Sequence, residues 1–298
     1  MRIFVTGATG FIGSAVTQDL LANGHQVVGL SRSPAKTGKL AATGAEVVEG
    51  TIEDSDLLTA TAARVDGVIH LAFNHDFSRF VQNCEDDRRV IRALGAGLAG
   101  SDRPLVITSG TPIAQAAPGE PSREDNPIVR SDRHPRAASE EAGLEVAAAG
   151  GNVSVVRLPQ VHDPERQGLI SPAIGIYREK GICAYVGNGG NRWPAAHVSD
   201  VAPLYRLVVE KAEPGAKYHA VAEEGISLRA IAEAIGGRLN LPVESIIPED
   251  APAFFGWLAG FAGYDMPASS AQTRRKLGWK PAGPGLIDDL NRLVVPTT

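Results

Sequence analysis

The sequence predicts an α/β chain built on a doubly wound parallel sheet, with a smaller, irregular cap toward its C-terminus. Two observations carry that prediction. Short, almost uninterrupted apolar runs alternate with longer helix-patterned stretches through the first half, as expected when crossover helices cover both faces of a parallel sheet. Beyond Pro159 the texture changes: glycines, prolines and aromatics gather in YREKGICAYVGNGGNRWPAAH, ahead of short helical patterns such as SLRAIAEAIGGRL.

The strands are placed at 2–6 (RIFVT), 26–30 (QVVGL), 45–49 (AEVVE), 67–72 (GVIHLA), 104–109 (PLVITS) and 153–158 (VSVVRL). Helices fall between them near 12–23, 34–43, 53–64, 76–99 and 136–149. The last of these, in HPRAASEEAGLEVAAAGG, is rich in Ala, Glu and Leu and is stopped by its closing glycines. A dinucleotide-binding unit is expected over 1–165, with a return segment at about 197–222, and a substrate-binding cap over 166–196 and 223–298. No internal repeat or low-complexity linker separates them, so a ligand cleft is expected between the two, at the carboxyl ends of the strands.

The 298 residues are 43% hydrophobic and 21% charged, with a formal net charge of −5 and no long run of Lys or Arg. Nucleic acid and anionic membrane are therefore not expected as partners. The two cysteines, Cys84 and Cys183, supply neither a disulfide framework nor a cysteine-rich zinc site, and they read as reduced packing residues. The seven histidines form no HxH or HExxH pattern, so no metal is expected. MRIFVTGATG begins on a strand, and no stretch offers the roughly 18 apolar residues of a membrane span. A cytoplasmic protein follows as the expectation.

TGATGFIG follows the first strand and opens the first helix, with Gly7, Gly10 and Gly13 three residues apart and Thr9, Phe11 and Ile12 between and beside them. The first glycine permits a tight turn, the second lets backbone close on a pyrophosphate, and the third lets helix pack on strand, while the helix N-terminus attracts the anion. At the end of the second strand an NAD site usually carries an acid for the ribose 2′-hydroxyl. GLSRSP has Ser31, Arg32 and Ser33 there and no acid. An acid would repel a 2′-phosphate and Arg32 would fork onto one, so NADP(H) is the expected cofactor; the alternative is that Arg32 is a solvated surface charge.

That loop is followed, in order, by EGTIEDSDLL, VIHLA, VITSG, VVRLPQVHDP, AAHVSDVA and RRKLGWKP. Together the seven motifs resemble the extended, or atypical extended, short-chain dehydrogenase/reductase superfamily of NAD-dependent epimerase/dehydratase type, over essentially the whole chain. The resemblance implies a Rossmann sheet. It puts Thr51 and Ile52 near an adenine, Leu71, Ala72 and Phe73 along the cofactor, Thr108 and Ser109 at the end of the fifth strand, and Pro159 and Val161 beside the nicotinamide. Ser109 matches the catalytic serine that hydrogen-bonds a substrate carbonyl or alcohol, with a loop-capping serine as the plainer reading. His197 and Asp200 look structural. A homodimer through the helices near 76–99 and 136–149 is also implied, although solvent alone would explain the polar half of CEDDRRVIRALGAGLAG.

The departure lies in the fifth crossover helix. Where the family carries Tyr and, four residues on, Lys, in runs resembling YGASKLAGE, the frame RAASEEAGL sets Arg136 and Glu140. Tyr and Lys one turn apart share a helix face, and the Lys lowers the phenol pKa. Arginine stays protonated, so Arg136 polarises a carbonyl but is a poor proton donor. Either Arg136 and Glu140 form a surface pair and nothing more, or the proton comes from elsewhere. The candidate donors are His75, followed by Asp76 in HLAFNHDFSRF, then His162 near the nicotinamide end, and Tyr177 and Tyr185 from the cap. Arg192 and Trp193 either line a substrate pocket together, or Trp193 just packs under the cap.

Two functions stay open. One is an NADPH-dependent reductase of a small carbonyl or imine compound, with Ser109 and Arg136 orienting the acceptor. The other is a non-catalytic NADP(H)-binding, redox-responsive regulator.

Overall fold

The computed structural model describes residues 1–294. Its first half follows the expected alternation: β1 (Arg2–Thr6), α1 (Phe11–Ala22), β2 (Gln26–Ser31), α2 (Pro34–Ala41), β3 (Glu46–Glu49), α3 (Ser55–Ala62), β4 (Gly67–His70), α4 (Phe80–Leu98), β5 (Pro104–Gly110), α5 (Ala138–Ala148) and β6 (Asn152–Leu158). The chain then runs through β7 (Gln160–His162), α6 (Ile170–Lys180), β8 (Cys183–Val186) and β9 (Arg192–His197). It comes back with α7 (Val198–Lys211) and β10 (Lys217–His219). After these come β11 (Glu223–Ser227), α8 (Leu228–Leu239), β12 (Val243–Ile246), α9 (Ala251–Phe255), α10 (Ala259–Ala262), α11 (Ala271–Leu277) and α12 (Leu286–Asn291).

Seven parallel strands form the main sheet in the order β10-β6-β5-β4-β1-β2-β3. The doubly wound class is therefore as the sequence predicts. The order reverses between β1 and β4, where the first crossover goes one way and the fourth strand lies on the other side, and this opens a crevice at their carboxyl ends. Both faces are buried, and the strand period of two divides the apolar side chains between them. Ile3, Val5 and Val106 pack with Leu20, Tyr205 and Val208 on the α1/α7 face. Phe4, Leu105 and Ile107 pack with Leu58, Ile91 and Leu94 on the α3/α4 face. Full burial of each such Leu or Ile stabilises by about 1.5–3 kcal/mol.

A third apolar cluster is made by later residues, among them Ile170, Trp193, Leu228, Ile231, Phe255 and Leu286. Two small sheets frame it, β11-β9-β7 and β12-β8. The fourth strand stops at His70, two residues short of expectation, because the N–H groups of Leu71 and Ala72 turn to the Thr6 hydroxyl at 3.2 and 3.3 Å. The following helix starts late for a similar reason: the Asp76 carboxylate accepts from Ser78 N–H and caps a short 3₁₀ turn, Phe77–Arg79, ahead of α4. Among the described residues no helix is long and apolar enough to cross a membrane.

Candidate active site

The turn from β1 into α1 leaves no room for side chains at its glycines. Gly7 has φ +72°, and a Cβ there would stand 2.8 Å from the Ala72 nitrogen. A Cβ at Gly13 would fall 2.0 Å from the Gly7 carbonyl oxygen. Gly10 caps α1 with extended backbone, no side chain fills the helix's leading N–H groups, and no acid stands in the first turn. Thr9, Phe11 and Ile12 are partly exposed around this opening. The donors and the positive end of the helix dipole fit a pyrophosphate, and the backbone approach between Gly7 and Ala72 brings the loop after β4 to the same place.

The other residues expected along a cofactor also sit at the carboxyl ends of strands. Ser31 is buried at the end of β2, Arg32 is exposed just beyond it, and Ser33 is half-buried. Thr51 and Ile52 follow β3, and Leu71, Ala72 and Phe73 follow β4. A cavity of about 70 Å³ opens between these loops and α4, lined by Ile52, Glu53, Phe73, Asn74, Asn83 and Val90. Pro159 stands between β6 and β7 and Val161 within β7, where Val161 is buried in the core cluster.

At the end of β5 the two candidate residues differ in engagement. Thr108 is committed: its hydroxyl lies 2.7 Å from the His70 carbonyl and 2.8 Å from the Tyr205 hydroxyl. The Ser109 hydroxyl is buried and carries no hydrogen bond. A buried polar atom without a partner is costly; the Ser154 hydroxyl on neighbouring β6 is left the same way, but Ser109 is the one at the carboxyl end of its strand.

Arg136 lies in the short 3₁₀ turn Pro135–Ala137 that leads into α5. Its Nη1 donates to Asp87 Oδ2 at 2.9 Å and to the Ser139 hydroxyl, its Nη2 donates to the Thr108 carbonyl at 2.8 Å, and its guanidinium carbon lies 4.3 Å over the Phe73 ring. Asp87 is buried on α4 and also accepts from Ser139 and, at 2.9 Å, from His70 Nε2, while His70 Nδ1 faces the Thr6 hydroxyl at 2.6 Å. Despite the burial, the Arg136 and His70 partners hold the Asp87 pKa down to about 2.

The expected surface pair of Arg136 with Glu140 is not formed. Glu140 is buried and takes a bidentate pair from Arg157 on β6, both bonds at 2.8 Å, and Arg157 also lies 3.2 Å from His219. The reason is geometric. α5 packs flat between α4 and the β5/β6 edge, so its first turn meets interior partners on both sides.

His75 lies exposed in the loop after β4, in edge contact with Phe73 and Phe77. Crowding of its ring and the nearby Arg136 charge hold its pKa below the ordinary imidazole value. Asp76 is occupied with capping and does not pair with it. Of the other candidate donors, His162 is buried with Nδ1 2.8 Å from Asp289 and Nε2 without a hydrogen bond, and the Tyr177 hydroxyl donates to the Ala184 carbonyl. Tyr185 packs in the cap beside Arg229. Trp193 is buried as core and so takes the packing role, while partly exposed Arg192 pairs with Asp265. Asp200 accepts from Ala282 and Gly283 N–H, and His197 caps α7, which are structural duties. Cys84 and Cys183 are buried thiols whose pKa burial pushes up to about 11.

The sequence reading missed Asp87, His70 and Ser139. A signal for Asp87 was present: it falls on the buried stripe of α4 with Cys84, Val90, Ile91 and Leu94, where an acid has no place unless paired.

The family model described as "NAD dependent epimerase/dehydratase family" matches residues 3–222. The chain is 45% identical to Uncharacterized protein C2A9.02 of Schizosaccharomyces pombe, over 97% of this chain and 98% of that protein. It is 29% identical to a UDP-glucose 4-epimerase of Mycolicibacterium smegmatis, over 94% of each. Among solved structures it is similar to DesIV, the dTDP-glucose 4,6-dehydratase of Streptomyces venezuelae with NAD and TYD bound. The TM-score is 0.77 and the identity 21%, over 98% of this chain and 95% of that one. With its glycine loop, its strand order and a family match running from β1 to just past β10, the chain belongs to the NAD-dependent epimerase/dehydratase family.

Proposed function

We propose that the chain is an NADPH-dependent reductase acting on the carbonyl or imine of a small organic substrate, with a proton donor other than the family's tyrosine. The observation that carries this reading is Ser109: a buried hydroxyl with no partner, next in sequence to the carbonyl that holds Arg136, at the end of β5 beside the crevice. A bound NADPH supplies the hydride. Gly7, Gly10 and Gly13 give its pyrophosphate a fit, and exposed Arg32, in a stretch (GLSRSP) without an acid, favours the 2′-phosphate. The Ser109 hydroxyl donates to the substrate oxygen and Arg136 stabilises the negative charge that grows there. No tyrosine in the sequence has a lysine four residues later. His75, held below its ordinary pKa, is mostly neutral near pH 7, so as the donor it gives a rate that climbs as pH falls through that lowered value. An imine substrate arrives already protonated and lightens this demand.

The test follows NADPH absorbance against aldehydes, ketones, quinones and cyclic imines. Turnover is expected on at least one class, with Ser109→Ala lowering kcat by about 10²–10³-fold. Arg32→Ala is expected to weaken NADPH binding about 10-fold and leave NADH unchanged. The commitment of three Arg136 donors to Asp87, Ser139 and Thr108 favours a second reading, a cofactor-binding regulator without turnover. Tight NADPH binding with no turnover on any substrate would decide for it.

A further inference from the structure

Arg136 is held on three sides and open on a fourth. Asp87, Ser139 and the Thr108 carbonyl occupy Nη1 and one hydrogen of Nη2, and Phe73 covers one face of the plane. Nε and the second Nη2 hydrogen have no hydrogen-bond partner among the described residues, and the side chain keeps 14% of its surface exposed. Asp87 is almost fully buried, at the wall of the small cavity beside Phe73: its side chain is 2% exposed and its two oxygens are taken by His70, Ser139 and Arg136. Through His70 it is tied to Thr6, whose hydroxyl oxygen accepts from Leu71 and Ala72 in the loop expected to run along the cofactor. One buried polar chain thus links the ends of β1 and β4 to α4 and to Arg136. One helical turn on from Arg136, Glu140 is turned inward onto Arg157 and has nothing to offer a ligand.

We propose that Asp87 is a positioning residue. Its carboxylate fixes the guanidinium plane against Phe73 so that the free edge of Arg136 faces the nicotinamide-side ribose and the substrate oxygen beside it. A guanidinium is suited to this because its donors lie in one rigid plane, so pinning two of them aims the rest. The charge of Asp87 also offsets that of Arg136, which would otherwise sit mostly desolvated and alone. The inference rests on the dinucleotide reading above and adds a residue that touches no ligand yet sets the grip on one end of it.

Calorimetric titration separates the two ends. NADPH is compared with 2′,5′-ADP, which carries the adenosine half and lacks the nicotinamide ribose, on the full chain and on Asp87→Asn and Arg136→Lys, with NADH and AMP in parallel. Both variants are expected to bind the dinucleotide roughly 10-fold more weakly and the half-molecule within about twofold of the parent. Equal weakening toward both ligands would mark Asp87 as a folding residue and overturn the inference, as would unchanged dinucleotide affinity. If Asp87→Asn does not fold, Arg136→Lys, which keeps the cation and loses the fork, carries the comparison. A parent chain that binds none of the four ligands removes the cofactor reading and this inference together, an outcome distinct from binding that ignores residue 87.

Discussion

Gly13 has no space for one more carbon. The Cβ of an alanine there would overlap the Gly7 carbonyl, which belongs to rigid backbone and cannot swing aside as a side chain would. Gly13→Ala is expected to destabilise the fold by about 1–3 kcal/mol and to abolish dinucleotide binding, since relief requires α1 to move off β1 and carry its N–H groups with it. Thermal unfolding and titration with NADPH check the two halves of that statement. Gly24, which also has positive φ, meets nothing within 4 Å on its Cβ side, so it makes a control in which strain is local and the crevice is untouched. This constraint was legible in the sequence because it is local: the eight-residue loop TGATGFIG contains both Gly13 and the Gly7 carbonyl that crowds it. Ser109 and Arg136 were legible as candidates through motif position. What each one touches was not, since Asp87 lies 49 residues from Arg136 and Thr108 lies 28 away.

On the scale of elements, α5 shows why a helix read in isolation misleads. Its sequence offers Arg136 and Glu140 one turn apart, a spacing that suits an ion pair on a solvated face. In the fold the first turn is sandwiched, and each charge finds a stronger partner on another element: Arg136 on α4, Glu140 on β6. Further along, Glu141 and Glu145 of α5 pair with Arg88 and Arg92 of α4, so the polar half of α4 is engaged within the chain. Removing Glu140 strands a guanidinium in the interior, and Glu140→Ala is expected to cost about 3–5 kcal/mol, measured by urea unfolding. Restoring the family pair with Arg136→Tyr and Glu140→Lys is expected to lower stability at least as much, because it sets an ammonium against Arg157 and leaves Asp87 without its cation. Gain of activity in that double variant would contradict this account.

Across the whole molecule, the edge of the main sheet is joined to the C-terminal segments by a buried polar seam. His219 on β10 lies between Arg157 and the Ser269 carbonyl, and its backbone N–H donates to Thr273 on α11. Thr273 in turn donates to Glu124 from both its hydroxyl and its backbone N–H. Burial, with the Arg157 charge, pulls the His219 pKa down from 6.5 to about 3. The unfolded chain therefore takes up a proton that the folded chain refuses. The stabilising effect of a neutral His219 is complete above about pH 6.5 and declines as pH falls from there toward 3. Urea unfolding from pH 7 to pH 4 is expected to show that decline, and His219→Gln is expected to flatten it. Such a seam escapes sequence reading for the same reason as the Asp87 pairing. Strand positions and apolar faces are written in local periodicity, whereas His219, Glu124 and Thr273 meet only after the sheet has closed.

The ring of Phe77, on the loop after β4, stacks on Trp257, which stands in the turn between α9 and α10; the centroids are 4.2 Å apart and the planes 10° from parallel. Trp257 is 46% exposed, whereas Trp193 and Trp279 are buried. The molecule therefore carries its own optical gauge on the contact between the loop after β4 and the turn after α9. Aqueous iodide reaches one indole of three, and any opening that parts the two rings changes that indole's emission while the interior pair stays constant.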